Sequence, residues 1–284
     1  MRRNREIDFA IEVFVRGHCA GRSHTFPYEA TRIGPVWVMR DAPRKKASDY
    51  RKEEWIAHDV EPKDVDGIAR GHTRGRFFVC AMLAKGEPDE PTRTAYKALG
   101  YRLLATEGFF VQRLKRIPTL TSPALIERVR TPALAERLGK VMRRRPISSE
   151  FFGDDSPFRQ YVALEGQDIV GRVRSVDAAG ATWCADMYVS PSHRRRGIGR
   201  ALLSRMLRDD RTRGSKGSVL TASRTGALLY PHVGYNGQAQ PVQVVFTIFA
   251  DPPVCGSRNH DRSDRSKALH HLLRFFEASH LGQA

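Results

Sequence analysis

One segment constrains this chain more than any other: Met187-Tyr188-Val189-Ser190-Pro191-Ser192-His193-Arg194-Arg195-Arg196-Gly197-Ile198-Gly199-Arg200-Ala201-Leu202-Leu203. It reads as a strand, a basic glycine-containing turn and an amphipathic helix in immediate succession. The helix is predicted over 199–207, where Ala201, Leu202, Leu203, Met206 and Leu207 form an apolar stripe. A helix start leaves backbone N–H groups without intrahelical partners and is the positive end of the helix dipole, and glycine lets a phosphate come close. The turn is therefore an anion seat. With Arg194, Arg195, Arg196 and Arg200 around it, a pyrophosphate would meet several charge-assisted donors.

The rest of the composition agrees with an anionic ligand without naming it. The 48 Lys plus Arg against 31 Asp plus Glu give a formal charge of +17, which suits nucleic acid, an anionic membrane surface or a phosphate-rich cofactor equally. At 284 residues and 40% hydrophobic content a mainly disordered chain is excluded, and the length allows one large domain or two small ones. Cys19, Cys80, Cys184 and Cys255 stand far apart with no CxxC pair, which argues against structural zinc and a disulfide framework. The apolar stretch 9–15 is broken by Glu12 and lacks a small-residue cleavage site, so no secretory signal is read. Apolar runs such as 244–250 fall short of the ~20 residues that cross a bilayer. The expectation is a soluble, cytoplasmic protein with no membrane segment.

Periodicity organises the remainder. In the first half, 77–83 reads as a buried strand, 91–99 as a helix opening with Pro91 and stopping at Gly100, 108–114 as a strand, and 62–70 as a further helix. The stretch 118–123 is punctuated by Thr, Ser and Pro and reads as a linker. A strand at 125–129 and a helix at 131–143 follow. Strands at 160–164 and 169–173 flank the turn Glu165-Gly166-Gln167-Asp168 as a hairpin, and a third strand spans 182–189 after the turn Ala178-Ala179-Gly180. After the helix come a strand at 218–222, a helix at 225–232 and a strand at 242–249. The order is β-β-β-α-β-α-β. The tail from Pro252 is left flexible, with one helix at 267–279.

The pattern Arg-x-x-Gly-x-Gly after a strand ending Val-x-Pro, carried by Arg194, Gly197 and Gly199, resembles the acyl-coenzyme A signature of the GNAT acetyltransferase superfamily. A dinucleotide-binding reading is weak, because the preceding strands form an antiparallel meander and no ribose-binding acid follows. Leu220-Thr221-Ala222-Ser223-Arg224-Thr225-Gly226-Ala227-Leu228-Leu229-Tyr230-Pro231-His232-Val233-Gly234-Tyr235 resembles the family's last helix: Tyr230, Gly234 and Tyr235 match, while Ser223 stands where Asn is usual and Gly226 where Ala is usual. The resemblance covers about 125–249. It implies a mixed α/β (α+β) fold, a mostly antiparallel twisted sheet flanked by helices, and transfer of an acetyl group from acetyl-CoA to a primary amine by direct attack in a ternary complex. It further implies that acetyl-CoA is held by Met187, Tyr188, Val189, Arg194, Arg195, Arg196, Gly197, Ile198, Gly199, Arg200, Ala201 and Ser223. Tyr230 would protonate the departing thiolate, since a phenol with a reference pKa near ~10 stays neutral at pH 7.

The chain departs from the family where the amine loses its proton. Relatives place Glu or His on the strand before the turn, or Glu near the start of the next strand; here strand alternation puts Trp183, Ala185 and Met187 on the face of Val189, and Ser218 takes the other place. Asp186 should face away, and Glu165 sits in a turn. A water relay, a substrate arriving neutral and a decayed catalyst all stay open. His193 and His232 read as surface residues, Cys184 as a buried cysteine without a base, and Phe109-Phe110 as core.

Ala95-Tyr96-Lys97-Ala98-Leu99-Gly100-Tyr101 repeats the form of Leu229-Tyr230-Pro231-His232-Val233-Gly234-Tyr235, and a strand precedes each copy. The first half thus resembles a degenerate GNAT domain, giving tandem units at 1–117 and 118–250 before a basic tail at 251–284. Between Trp37 and Phe77 there is no Arg-x-x-Gly-x-Gly, so this half is expected not to bind coenzyme A, and 24–29 reads as a recognition loop or an ordinary packed one. The rival reading is a non-catalytic acyl-CoA-binding or basic nucleic-acid-binding module on a decayed GNAT fold. No helix-turn-helix, zinc finger or RNA-binding signature supports the nucleic-acid version. The acceptor is open, and because family members often dimerise a homodimer is open too.

Overall fold

The computed structural model describes residues 5–84, 86–223, 226–235 and, for the backbone, 244–249. Two compact units form among them: 5–110 with 221–223 and 244–249, and 111–220 with 226–235. The region 251–284, with the helix expected at 267–279, lies outside the described residues.

The first unit opens with α1 (Arg5–Arg22), which the sequence reading did not assign. Its Ile7, Ile11, Phe14 and Val15 recur at helical spacing and are buried, while Arg16 and Glu12 pair on the wet side. Strands β1 (Tyr28–Ile33), β2 (Val36–Asp41) and β3 (Glu53–His58) form an antiparallel meander. Helix α2 (Pro62–His72) then carries the chain over, so that β4 (Phe77–Leu83) runs parallel to β3, with Glu53 opposite Phe77. Every residue of β4 is buried, as its unbroken apolar run predicts for an interior strand. Helix α3 (Glu90–Ala98) and β5 (Arg102–Gln112) follow; β5 begins six residues before the strand expected at 108–114.

The second unit repeats the plan. After β6 (Leu125–Arg128), α4 (Pro132–Met142) starts where Thr131 accepts a hydrogen bond from the Leu134 N–H at 3.3 Å, and stops at Arg143 in a left-handed conformation, φ 51°. Strands β7 (Phe158–Glu165), β8 (Asp168–Ala178) and β9 (Ala181–Val189) form the antiparallel meander. Helix α5 (Ile198–Thr212) returns the chain to β10 (Ser218–Ala222), parallel to β9. A buried polar knot fixes α5 to this sheet. Asp210 of α5, with no solvent exposure, accepts from Arg159 of β7 at 2.9 Å, Ser175 of β8 at 2.8 Å and Thr182 of β9 at 3.0 Å.

Two expectations need correction. The helix expected at 225–232 is a pair of short 3₁₀ turns, Gly226–Leu228 and Tyr230–Val233, because Pro231 withholds the N–H that a continuing α-helix needs and Gly226 adds no helix propensity. The strand expected to close the second unit, β11 (Val244–Phe249), lies between β4 and β5 of the first, antiparallel to both. Its apolar, β-branched run suits an interior position between two strands in either unit, so periodicity alone could not choose. The fold is the expected mixed α/β one, with mostly antiparallel strand pairing and flanking helices. No helix among the described residues is long and apolar enough to cross a membrane.

Candidate functional site

The site is built where β9 leaves its neighbours. Ala185 pairs with Arg174 of β8, but the next pair is Tyr188 with Arg172, so Asp186 and Met187 both stand opposite Val173. This is a β-bulge, and Asp186 carries it with φ 56°. On its other edge, β9 pairs with β10 only through Thr182 and Trp183 among the described residues. The strand from Cys184 to Val189 is thus presented with no ladder partner on that side.

The bulge also resets which side chains share a face. A Cβ placed on Gly171, the partner of Val189, would stand 3.0 Å from Leu202 of α5, and one on Gly199 of α5 would stand 3.1 Å from Met187. Val189 and Met187 therefore face α5, while Ala185, paired with Arg174, and Tyr188, paired with Arg172, face away. Strict alternation had put Trp183 and Ala185 on the face of Val189; the extra residue at the bulge is why they are not there.

Past β9 the chain makes a short 3₁₀ turn, Pro191–His193, then takes left-handed conformations at Arg195 (φ 62°) and Gly197 (φ 82°) before α5 begins. The first helical bond runs from Ala201 N–H to Gly197 C=O at 3.0 Å. The amides of Ile198, Gly199 and Arg200 lie before it, at the positive end of the helix, in a concave turn suited to an anion. Ile198 and Ala201 are buried, so their contribution to such a seat is through backbone.

The arginines divide. Arg194 donates to Val189 C=O at 3.0 Å and ties the turn to the strand end. Arg196 pairs with Glu165 at 2.8 Å, and His193 lies 3.6 Å from the same carboxylate. Arg195 and Arg200 are exposed and make no ion pair among the described residues. Glu165, set aside in the sequence as a turn residue, is what holds one wall of the basic turn.

Tyr230 opens the second 3₁₀ turn and is 3% exposed, its ring edge-on to Tyr235 at 5.5 Å. Leu229 meets the space above Gly199, which brings this turn against the start of α5. Gln112 braces it from beneath: its side-chain N–H donates to Val233 C=O at 2.9 Å, and its carbonyl accepts from Leu114 N–H at 3.1 Å. Gly234 is left-handed (φ 86°), and a Cβ there would collide with Gln112. Ser223 follows β10 directly. The first unit carries the same device: Tyr96 and Tyr101 stack edge-on at 5.4 Å across Gly100 at φ 87°, and Tyr101 N–H bonds Tyr96 C=O at 3.1 Å as Tyr235 N–H bonds Tyr230 C=O at 3.2 Å. There, however, Asp59, Glu61 and Asp64 stand around the start of α2, where the second unit has arginines. Cys184 is fully buried, and burial pushes its thiol up to about 12, which removes it as a nucleophile.

The family model described as acetyltransferase (GNAT) domain matches residues 156–236. Among solved structures the chain is similar to a GCN5-related N-acetyltransferase from Kribbella flavida, with 13% identity and a TM-score of 0.57 over 90% of this chain and 97% of that one. It is also similar to a functionally unknown conserved protein from Staphylococcus epidermidis, with 15% identity and a TM-score of 0.54 over 81% and 97% of the two chains. No curated protein matches the sequence. The likeness to the acetyltransferase (GNAT) domain is thus carried by residues 156–236, and the likeness to the solved structures is one of fold.

Proposed function

We propose that the second unit transfers an acetyl group from acetyl-CoA to an amine. The observation that carries this reading is the junction of β9 and α5, where an unpaired strand edge ends in a left-handed basic turn that opens a helix. The residues fit the cofactor. Ile198, Gly199 and Arg200 offer amides, Arg195 and Arg200 offer uncommitted charge for a pyrophosphate, and the absence of a side chain at Gly199 keeps Met187 and Leu229 in place. Backbone from Met187 to Val189 would pair with the amides of the pantetheine arm, as an added strand does. Ser223, the residue after β10, is the remaining residue we assign to acetyl-CoA.

When bound, acetyl-CoA supplies an activated acyl thioester. The chain then has to hold an uncharged amine beside it and return a proton to sulfur. We assign the return of the proton to the Tyr230 hydroxyl. The tyrosine pair of the first unit, packed the same way without a basic turn, shows that the ring has an architectural role as well. The test is Tyr230→Phe, which keeps the ring. Turnover measured by thiol release should fall by about 10²-fold or more with the acetyl-CoA Kd within about twofold of the parent. An unchanged rate for the chemical step removes Tyr230 from the reaction. A thermal-shift titration reads the seat separately: at about 100 times Kd the ligand should add about 2.7 kcal/mol of apparent stability, and Arg195→Glu combined with Arg200→Glu should abolish the shift. A well-folded parent chain with no shift refutes the acetyltransferase reading.

A further inference from the structure

The face of β8 and β9 turned away from α5 holds a charged cluster that acetyl transfer as described does not use. Asp186, pushed out by the bulge, is met by Arg172 at 3.1 Å through Oδ1 and by Arg174 at 3.5 Å through Oδ2. All three side chains are nearly enclosed, with exposures of 9% for Asp186, 13% for Arg172 and 14% for Arg174. Arg174 also donates to Gln160 at 3.1 Å, and Arg172 lies 4.5 Å over the ring of Tyr188.

Two features of this cluster are unresolved within the chain. Charge does not balance: two guanidinium groups share one carboxylate, and burial, Arg144 and Arg172 all disfavour the charged form of Arg174, opposed by Asp186. Hydrogen bonding does not balance either, because the Asp186 Oδ2 atom is buried and has no hydrogen-bond partner among the described residues. A buried carboxylate oxygen that has an ion-pair partner at 3.5 Å but no hydrogen bond, and an enclosed excess of positive charge, each cost free energy. The left-handed conformation of a non-glycine residue at Asp186 adds to that cost, and such strain gathers at ligand sites. An ammonium would supply the hydrogen bond that Asp186 Oδ2 lacks, and an anion would offset the excess positive charge. Tyr188, under Arg172, sits between Met187 and Val189, so the cluster adjoins the proposed acyl seat from the opposite face of the same strand.

We infer that this face binds a zwitterionic acceptor, an amine that carries a carboxylate or phosphate within a few bonds. The ammonium donates to Asp186 Oδ2 and the anion faces Arg172 and Arg174. Asp186 is an anchor in this arrangement, held in place by its ion pairs with Arg172 and Arg174. That the bound amine is then acetylated rests on the reading above; the binding itself does not.

The test omits acetyl-CoA. Ligand-observed NMR and calorimetry compare β-alanine, phosphoethanolamine, ethanolamine and propionate on the intact chain. Binding of at least one zwitterion, at least tenfold tighter than ethanolamine or propionate, is expected, and the preferred zwitterion names the anion. Asp186→Asn, which suits a left-handed position, and Arg172→Gln should each weaken zwitterion binding about tenfold or more, whereas Arg195→Glu should leave it unchanged. Ethanolamine binding as tightly as β-alanine overturns the inference. So does failure of both zwitterions to bind a chain that still takes up acetyl-CoA, which leaves the acetyltransferase reading standing. Zwitterion binding by a chain that does not bind acetyl-CoA has the opposite meaning.

Discussion

Left-handed backbone marks the residues on which the basic turn depends. Gly197 holds φ 82°, a conformation in which a side chain costs roughly 1–2 kcal/mol. Gly197→Ala should therefore lower stability by about 1 kcal/mol in chemical denaturation, and weaken acetyl-CoA binding by more than that because the same change moves the first amides of α5. Carboxylates set a second dependence, on pH. In the first unit, burial alone would raise Glu54, but His18, Arg22 and a hydrogen bond from Tyr28 bring it down to about 2 from an ordinary 4.5. A carboxylate with a lowered folded pKa stabilises the fold above its unfolded pKa and loses that contribution as pH falls toward the folded value. Stability of the first unit, followed by the fluorescence of Trp37 and Trp55, should decline as pH falls from 4.5 toward 2, and Glu54→Gln should flatten that decline. Equal slopes in the two proteins would show that Glu54 does not carry it.

At the level of elements, periodicity found what is locally periodic and missed what depends on a partner. The strand over 77–83, the helix from Pro62 and the hairpin around Gly166-Gln167 were all legible, because each is written in a repeat of about two or 3.6 residues and ended by Pro or Gly. The bulge at Asp186 was not. It is fixed by the register of β9 against β8, which a single strand does not encode, and with it went the assignment of faces around the site. The brace from Gln112 was hidden for a related reason: its contact, Val233, is 121 positions away. Helix α5 shows how far such partners matter. Arg159 is the charge that compensates Asp210, a carboxylate that burial otherwise pushes upward. Arg159→Met should cost about 3–5 kcal/mol by stranding that carboxylate, and adding Asp210→Asn should recover part of the loss in a double-variant cycle.

Across the whole molecule, the tandem plan was visible in the sequence as one short echo, and it is visible in space as two meanders each closed by a crossover helix and a parallel strand, with matched tyrosine pairs. What the echo did not contain was the destination of the last strand. Strand β11 fills the place between β4 and β5 of the first unit. A chain ending at 235 should therefore show less β signal by circular dichroism and associate through the two bared strand edges, while one ending at 259 should not. The same pairing bears on time. Residues 113–243, 131 in number, must be made between the end of β5 and the start of β11, so at about 5–20 residues per second the first unit waits some ~7–26 s on the ribosome for its missing strand. The half that is synthesised first is thus the half that can close last, and throughout that interval it presents an open gap in its sheet to whatever else is nearby.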